Sequence, residues 1–358
     1  MIRNAYRLIP RDGGGFHLGR EGLDQEVSSE TFPSDSLFAA LFAVQNARGG
    51  PESTKDILES PPSLSSVFPF AGQLPLFPMP RLRVNLDDAF QPGVTKALKK
   101  LQYVSPVILT HLLQGSSMDG WLPEDTSPSQ GVLMQDGRVW LARRETGLLP
   151  DNWHKLDDQA LKAEAIWRVD RVPRVAVDRI SNSSEIYHVG RTTFAPDCGL
   201  WFLADLDQRQ VGLFESLLDH LGDGGIGGER SAGYGAFSVE EAVPPDLPSP
   251  QRSRYVMTLS RYNPTEEELR AGVLGEGASY ELVDVGGWLA SPEGPAQRRK
   301  RVRMIEAGSI LAAPVPVVGR IVDVCPEYDQ AGAPQHPVWR SGIALTVGAQ
   351  EVTDGQAA

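Results

Sequence analysis

The sequence contains few cysteines and no long apolar segment. Its two cysteines, Cys198 and Cys325, cannot form a disulfide framework or a structural zinc site. The longest apolar runs, residues 199–204 and 310–318, are far shorter than the ~20 residues that a membrane-spanning helix requires. The first residues also lack the apolar region of a secretory signal peptide. We therefore expect a protein of the reducing cytoplasm, with no membrane partner, no metal site and no cofactor.

The chain also lacks an excess of basic residues. It has 34 lysines and arginines against 46 aspartates and glutamates, which gives a formal net charge of -12. Proteins that coat nucleic acid indiscriminately need basic side chains to release counterions from the phosphates. This composition therefore excludes that class of protein, and any nucleic-acid site must be confined to one face.

The length and the distribution of proline predict two domains. The chain has 358 residues, whereas single cores tend to split beyond ~250 residues. Four prolines lie between residues 244 and 253, a composition typical of a linker. We predict a first domain at 1–243, a linker at 244–253, a second domain at 254–350 and a tail at 351–358.

Each predicted domain opens with a strand, a loop and a helix. Residues 3–10 alternate as a half-buried strand does, and residues 36–47 place apolar side chains on one helical face, with an N-cap at residues 33–35. Residues 208–221 predict a second helix, with Leu213 on its apolar side and strands at 199–204 and 236–242 around it. In the second domain, a strand at 254–260 precedes a helix that Thr265 and Glu268 open as a capping box. The pattern is compatible with an α+β fold of two ferredoxin-like domains.

Residues 51–165 do not fit this repeat. Prolines divide the range into short pieces, and structureless loops of that length are uncommon in compact domains. We interpret it as a large insertion in the first domain that has short elements of its own, including a helix at 95–103.

The densest motif of the chain is a glycine-rich segment at residues 222–237, with the sequence GDGGIGGERSAGYGAF. Glycines allow backbone N–H groups to approach a phosphate or a sugar, and an arginine, a serine and a tyrosine could add charge, a hydrogen bond and stacking. A dinucleotide-binding fingerprint would follow a strand and open a helix, whereas this segment follows a helix; the lysine of a phosphate-binding P-loop is missing as well. The candidate ligand contacts are Gly224, Gly225, Gly227, Gly228, Arg230, Ser231 and Tyr234.

An arginine-rich segment occupies residues 167–194. It carries five arginines against three acidic residues, a local charge of +2 in an acidic chain. Guanidinium groups grip phosphates and stack on unpaired bases. Judged from composition alone, a solvated hairpin with internal ion pairs is the better interpretation.

Several motifs together resemble a known family. They are FHLGREGLDQEVSSETFPSDSLFAALF near the start, GGIGGERSAGYG in the glycine-rich segment, and EAGSILAAPVPVVGRIVDV with HPVWRSGIAL near the end. From about residue 3 to residue 347 the chain resembles the RAMP proteins that cap the crRNA 5′ end in type III-A CRISPR effector complexes, the fourth subunit of the Csm complex. The resemblance implies two ferredoxin-like, RRM-like domains, binding of the crRNA 5′ handle, docking to the large polymerase-like subunit and contact with a backbone RAMP subunit.

The resemblance also assigns roles to basic and polar residues. It implies that the arginine-rich segment is a thumb-like extension lying against crRNA, so that its arginines contact RNA. The start of the first helix, with its free N–H groups, is a further candidate phosphate site. The remaining predicted RNA contacts are Arg20, Ser34, Ser36, Arg171, Arg174, Arg179 and Arg191.

Catalysis has one candidate residue, His17. It lies in the loop between the first strand and the first helix, where RAMP nucleases that process crRNA keep a general base. A metal-independent ribonuclease needs an acid, a base and a charge stabiliser at one phosphate, and only Arg20 stands close to His17 in sequence. We therefore predict a non-catalytic RNA-binding scaffold. A RAMP endoribonuclease that uses His17 and a nucleotide-binding enzyme that uses the glycine-rich segment remain alternatives, and the role of the basic run at 298–301 stays open.

Overall fold

A computed structural model describes most of the chain. The described residues are 1–11, 14–19, 26–86, 92–122, 129–177, 184–251, 253–289, 297–326 and 337–350. Two predicted RNA contacts, Arg20 and Arg179, lie outside these ranges. Among the described residues, no helix is both long enough and apolar enough to cross a membrane.

The first part of the chain, up to residue 242, contains twelve strands and six α-helices among its described residues. In chain order they are β1 (Ile2–Pro10), α1 (Ser34–Gly49), α2 (Lys55–Glu59), β2 (Ser63–Leu64), β3 (Phe68–Ala71), β4 (Leu74–Pro75), β5 (Phe77–Pro78), α3 (Pro92–Lys100), β6 (Tyr103–Val104), α4 (Pro106–Leu113), β7 (Gly131–Met134), β8 (Val139–Ala142), α5 (Asp158–Ala163), β9 (Trp167–Val177), β10 (Ser184–Phe194), β11 (Cys198–Leu206), α6 (Val211–Gly224) and β12 (Phe237–Ala242).

The central sheet has the strand order β12-β1-β11-β3-β4, with β2 also paired to β11. All of its pairings are antiparallel. The alternation predicted for residues 3–10 is confirmed, because Tyr6 and Leu8 enter one core while Ala5 enters another on the opposite face. Helices α1 and α6 cover the first of these cores through Phe38 and Phe214.

The range interpreted as an insertion contributes to the central sheet. Strand β3 pairs with β11 over four residues, so this part of 51–165 is an integral member of the sheet. The rest builds a four-stranded sheet of order β5-β6-β8-β7 around the fully buried Trp140. The helix predicted at 95–103 is shifted, because α3 ends at Lys100 and Tyr103 begins β6.

Both ends of α6 differ from the prediction. The segment after β11 forms a turn in which Arg209 and Gln210 donate backbone N–H bonds to Asp207, so the helix begins at Val211 and not at residue 208. Leu213, predicted on the apolar side of this helix, is 38% exposed and lines a surface cavity of about 400 Å³ between α1 and α6. The helix continues to Gly224 and therefore includes the first glycines of the glycine-rich segment.

The second part of the chain is built around a short three-stranded sheet. Its elements are β13 (Tyr255–Thr258), α7 (Glu266–Ala271), β14 (Leu282–Val285), β15 (Trp288–Leu289), β16 (Gln297–Arg298), β17 (Val302–Ile305), β18 (Ile310–Ala312), β19 (Ile321–Asp323), β20 (Trp339–Ser341) and β21 (Thr346–Ala349). The sheet has the order β18-β13-β21, and β13 is buried on both faces. Among the described residues between β18 and β21 there is no helix.

The predicted capping box at the start of α7 is confirmed. The Thr265 hydroxyl accepts a hydrogen bond from Glu268 N, and a carboxylate oxygen of Glu268 accepts one from Thr265 N. The other Glu268 oxygen accepts bonds from Val318 N at 2.6 Å and Gly319 N at 3.0 Å. Burial opposes ionisation of Glu268, but these backbone donors outweigh it and lower the pKa of its carboxyl. Glu268 therefore connects α7 to the segment that precedes β19.

We expect Glu268→Gln to lower the free energy of unfolding by about 1–2 kcal/mol at pH 7. Because the folded-state pKa is lowered, this stabilisation is present above the ordinary glutamate pKa and is lost as the pH falls through the folded-state value. Urea unfolding at pH 7 and pH 4 should show the gap between wild type and variant narrowing at the lower pH. Glu267→Gln, on the exposed side of the same turn, is the matched control; equal losses in both variants would contradict the role of Glu268.

Candidate nucleic-acid interface

Three segments of the first part meet beside the central sheet: the loop 14–19, the β9–β10 hairpin, and the glycine-rich segment after α6. Phe16 and Thr192 exchange two backbone hydrogen bonds of 2.8 Å, which joins the loop to the hairpin. On its other side, the loop accepts bonds from Gly228 N to His17 O at 2.9 Å and from Gly235 N to Gly15 O at 2.9 Å. The loop therefore lies between the arginine-rich hairpin and the glycine-rich segment, which the sequence alone did not place together.

Buried hydroxyl groups hold this junction in place. The Oγ atom of Ser28 lies 2.7 Å from Oγ1 of Thr192 and accepts a bond from Leu18 N at 3.0 Å. Thr192 in turn donates to the Ser29 carbonyl at 2.7 Å. Ser28, Ser29 and Thr192 are all buried. Their bonds satisfy the polar backbone of an irregular loop, which would otherwise be costly to bury.

Two glycines of the segment serve internal packing. Gly227 has φ +83, and a Cβ placed on it would lie 2.3 Å from the carbonyl oxygen of His17. A Cβ on Gly228 would lie 2.6 Å from the His17 ring. Both glycines are thus required for close approach to the loop 14–19, so we expect their substitution to disturb folding. Gly225 makes a similar close approach to Gly235, whereas Gly224 ends α6 at a place where a Cβ would meet no heavy atom within 4 Å.

The hairpin and the glycine-rich segment are joined by an aromatic contact. The guanidinium carbon of Arg174 lies 5.3 Å from the ring centroid of Tyr234, whose side chain is 8% exposed. On the same face of the hairpin, the stem of Arg191 packs where a side chain on Gly15 would be. The Nε atoms of Arg174 and Arg191 are both buried and have no hydrogen-bond partner in the part of the chain that the structure describes. Arg174 and Tyr234 are therefore in contact, and Arg191, which lies 4.0 Å from Asp170, is on the same face of the hairpin as Arg174.

Other predicted contacts are placed apart from this group. Arg171 lies on the opposite face of the hairpin, where its guanidinium is 3.2 Å from Glu26. Arg230 and Ser231 are exposed in a single turn of 3₁₀ helix, Arg230–Ala232, at the rim of the glycine-rich segment. The structure thus divides the basic residues between two faces of the hairpin and one loop.

The start of α1 is occupied by protein groups. Ser34 is 4% exposed; its N–H donates to the Ser66 hydroxyl, and its own hydroxyl accepts from Arg261 N at 2.8 Å. The N–H of Ser36 donates to the Pro33 carbonyl, and the Ser36 hydroxyl lies 3.2 Å from Arg340. A phosphate has no access to Ser34, so we remove it from the candidate contacts.

The predicted N-cap at residues 33–35 is also wrong in detail, because Asp35 lies inside the helix. Its carboxylate has no exposed surface and bonds Arg261 at 3.2 Å and Arg340 at 3.1 Å. Pro33 is the flanking residue and supplies no side-chain cap. Two arginines from the second part of the chain therefore hold the first turn of α1. No local sequence pattern reveals this cluster, because Asp35 lies more than 220 residues from either arginine.

A cleft of about 720 Å³ lies where the two parts of the chain meet, next to the loop 14–19. Among the described residues, its charged lining consists of Glu30, Glu281, Asp284 and Glu306 with Arg81 and Arg261. Arg81 pairs with Glu281, and Arg261 pairs with Glu306, so both arginines are already neutralised. A cleft with an excess of carboxylates repels phosphates. The side of the hairpin that carries Arg174 and Arg191 is the better place for an anionic backbone.

His17 is positioned firmly in the junction. Its side chain is 9% exposed, and its Nδ1 lies 2.8 Å from the Gly190 carbonyl. A carbonyl oxygen only accepts, so Nδ1 carries a proton and donates it to Gly190, which leaves an unprotonated Nε2 as an acceptor. Within the described residues, no group of three or more histidine, cysteine, aspartate or glutamate side chains could hold a metal ion.

Comparisons with known proteins agree with this architecture. The CRISPR Csm4 C-terminal domain family matches residues 251–349, and the RAMP superfamily matches residues 83–238. A curated relative from Mycobacterium tuberculosis, named CRISPR system Cms protein Csm4, is 29% identical over 322 residues, which cover 89% of this chain and 91% of the relative. A relative of the same name from Methanocaldococcus jannaschii is 22% identical, over 90% of this chain and 89% of its own.

A solved structure gives the same fold. A chain from the crystal structure of a Csm3-Csm4 subcomplex of the type III-A CRISPR-Cas interference complex superposes with a TM-score of 0.65 at 18% identity, covering 96% of this chain and 98% of its own. The two family matches together span both parts of the chain, and the curated relatives cover it almost from end to end. The chain therefore carries a RAMP superfamily region at residues 83–238 and a Csm4 C-terminal domain at residues 251–349.

Proposed function

We propose that this chain is a non-catalytic RNA-binding subunit of a type III-A CRISPR effector complex and that it binds the crRNA 5′ handle. The observation that carries the proposal is the contact of Arg174 with Tyr234, which joins the arginine-rich hairpin to the glycine-rich segment beside Arg191. The guanidinium groups of both arginines, whose Nε atoms have no partner among the described residues, are charged donors for phosphate oxygens. The exposed Arg230 and Ser231 extend this donor surface along the rim of the segment.

The fold supports this assignment. The first part has the element order β1-α1-β3-β11-α6-β12 in an antiparallel sheet, which is the order of a ferredoxin-like βαββαβ unit. In the second part, β13 followed by α7 and flanked by β18 and β21 corresponds to a reduced copy. We propose that these are the two RAMP domains, at 1–243 and 254–350, separated by the linker 244–253.

The partners follow from the relatives. Chains that superpose on this one were crystallised with Csm3, and as a Csm1-Csm4 cassette with a TM-score of 0.55 at 18% identity. We propose that this chain likewise contacts a large polymerase-like subunit and a backbone RAMP subunit. An assembly of this kind would place it in the cytoplasm.

The proposal predicts a salt-dependent loss of affinity in Arg174→Ala. The RNA probe is a synthetic copy of the 5′ end of the RNA that copurifies with the protein from its host. If Arg174 contacts a phosphate, the slope of log affinity against log salt should fall in magnitude by ~0.7, the value for one contact on a single strand. Affinity would be measured by fluorescence anisotropy between about 50 and 300 mM salt.

Arg270→Ala is the matched control, because Arg270 is an exposed arginine on α7 that pairs with Glu266. An unchanged slope in a folded Arg174→Ala protein would remove the hairpin from the RNA surface. Cleavage of a repeat-containing RNA by the purified wild-type chain without metal would instead favour a RAMP endoribonuclease. Saturable binding of a mononucleotide, with no preference for the handle, would favour a nucleotide-binding enzyme.

A further inference from the structure

His17 is held in one orientation and one tautomer. The Nδ1 atom donates a hydrogen bond to the carbonyl oxygen of Gly190, a residue of the hairpin, at an N–O distance of 2.8 Å. The backbone of His17 is fixed as well, since its carbonyl accepts from Gly228 N in the glycine-rich segment. The other ring nitrogen, Nε2, is not used by either contact. Within the described residues, no hydrogen bond reaches this nitrogen, although the side chain is more than nine-tenths buried.

Two glycines leave space in front of the unpartnered nitrogen. A Cβ placed on Gly19 would lie 3.5 Å from Nε2, and one placed on Gly228 would also lie 3.5 Å from it. Any other residue at these positions would cover the acceptor. Gly19 also lines the cleft between the two parts of the chain, whereas Gly228 belongs to the glycine-rich segment. The Nε2 atom therefore lies beside the glycine-rich segment, near Gly19 at the edge of the cleft.

We propose that His17 is a specificity-determining residue whose Nε2 accepts a hydrogen bond from one nucleotide of the bound RNA. The inference rests on the proposed function. An unprotonated Nε2 has no hydrogen to donate to a phosphate oxygen. The recognised group is therefore a donor, either a ribose 2′-hydroxyl or an N–H group of a base. Contact with the hydroxyl would distinguish RNA from DNA, and contact with an N–H group would select a base.

The test is a substitution cycle between protein and RNA. His17→Asn keeps a donor near the position of Nδ1 and removes the acceptor. For wild type, we expect one modified nucleotide in the handle probe to lower affinity about 3- to 10-fold, the effect of one hydrogen bond. A scan of single 2′-deoxy nucleotides and a scan of base analogues that each lack one N–H donor distinguish the two sources. His17→Asn should bind the unmodified probe as weakly as wild type binds the modified probe. Modifying that nucleotide should then cause no further loss of affinity in His17→Asn.

Gly19→Ala provides a second variant that does not alter the histidine. Its methyl group would make an ordinary contact at 3.5 Å and narrow the approach to Nε2. Modifying the same nucleotide should therefore no longer lower the affinity of this variant. Gly147→Ala, with no heavy atom within 4 Å of the new carbon, is the control. His17→Asn with full sensitivity to every modified nucleotide would overturn the inference while handle binding stands. Wild-type protein with no preference for the handle over unrelated RNA would overturn both the inference and the proposed function.

Discussion

Asp35→Ala should reduce the free energy of unfolding by about 3–5 kcal/mol, because it leaves buried arginine charge without its partner. The Asp35 carboxylate has no exposed surface, and the side chains of Arg261 and Arg340 are only 13% and 11% exposed. Arg261 retains Glu306 at 3.0 Å, whereas the Nε of Arg340 already lacks a partner among the described residues. Urea unfolding at pH 7 would measure the loss.

Exposed ion pairs offer the appropriate control. Glu266→Ala removes a pair with Arg270 at 2.6 Å in which both side chains are more than 70% exposed, and such helical pairs contribute about 0.5 kcal/mol or less. Adding Arg340→Met to Asp35→Ala removes the unpaired buried charge and should recover part of the lost stability. Apolar replacement of a buried ion pair often leaves the free energy of unfolding unchanged. A loss in Asp35→Ala no larger than that in Glu266→Ala would mean that the cluster does not hold the two parts of the chain together.

Sequence patterns predicted the elements whose stabilising interactions join residues close together in the chain. Strand β1 followed from the alternation of Tyr6 and Leu8, because a half-buried strand directs successive side chains to opposite faces. The α7 start followed from Thr265 and Glu268, whose hydrogen bonds close within one turn. The errors arose where a distant contact decided the outcome. Aspartate is a preferred N-cap residue, yet Asp35 lies inside α1, where its buried carboxylate pairs with Arg340.

The candidate site could be predicted by residue type and not by arrangement. The arginines and glycines were identified from local density, but a two-residue alternation in β9 places Arg171 and Arg174 on opposite faces of the hairpin. An odd spacing has this effect in any strand, but the sequence does not reveal which face of the hairpin lies against the glycine-rich segment. The contact of Arg174 with Tyr234 joins residues 60 positions apart, and no local signal encodes it.

Substitutions along the glycine-rich segment should differ greatly although each replaces one glycine by alanine. Gly224→Ala adds a methyl group at the end of α6, with no heavy atom within 4 Å and no positive φ, so stability should change by less than about 0.5 kcal/mol. Gly233 has φ +86 but open space around it, so Gly233→Ala should cost about 1–2 kcal/mol from backbone strain alone. Gly227→Ala combines a φ of +83 with a Cβ 2.3 Å from the His17 carbonyl oxygen. Its loss should exceed that of Gly233→Ala by at least about 2 kcal/mol.

The series separates packing from ligand contact. If Gly227 serves the approach to His17, Gly227→Ala should lose handle affinity only together with stability, and limited proteolysis should cut the loop 14–19 faster than in wild type. Gly233→Ala tests the exposed rim of the segment. A loss of handle affinity, measured where this variant is still fully folded, would indicate direct RNA contact. Equal stability of the Gly227 and Gly233 variants would contradict the packing role, because the same backbone strain acts at both positions and only the contact with His17 distinguishes them.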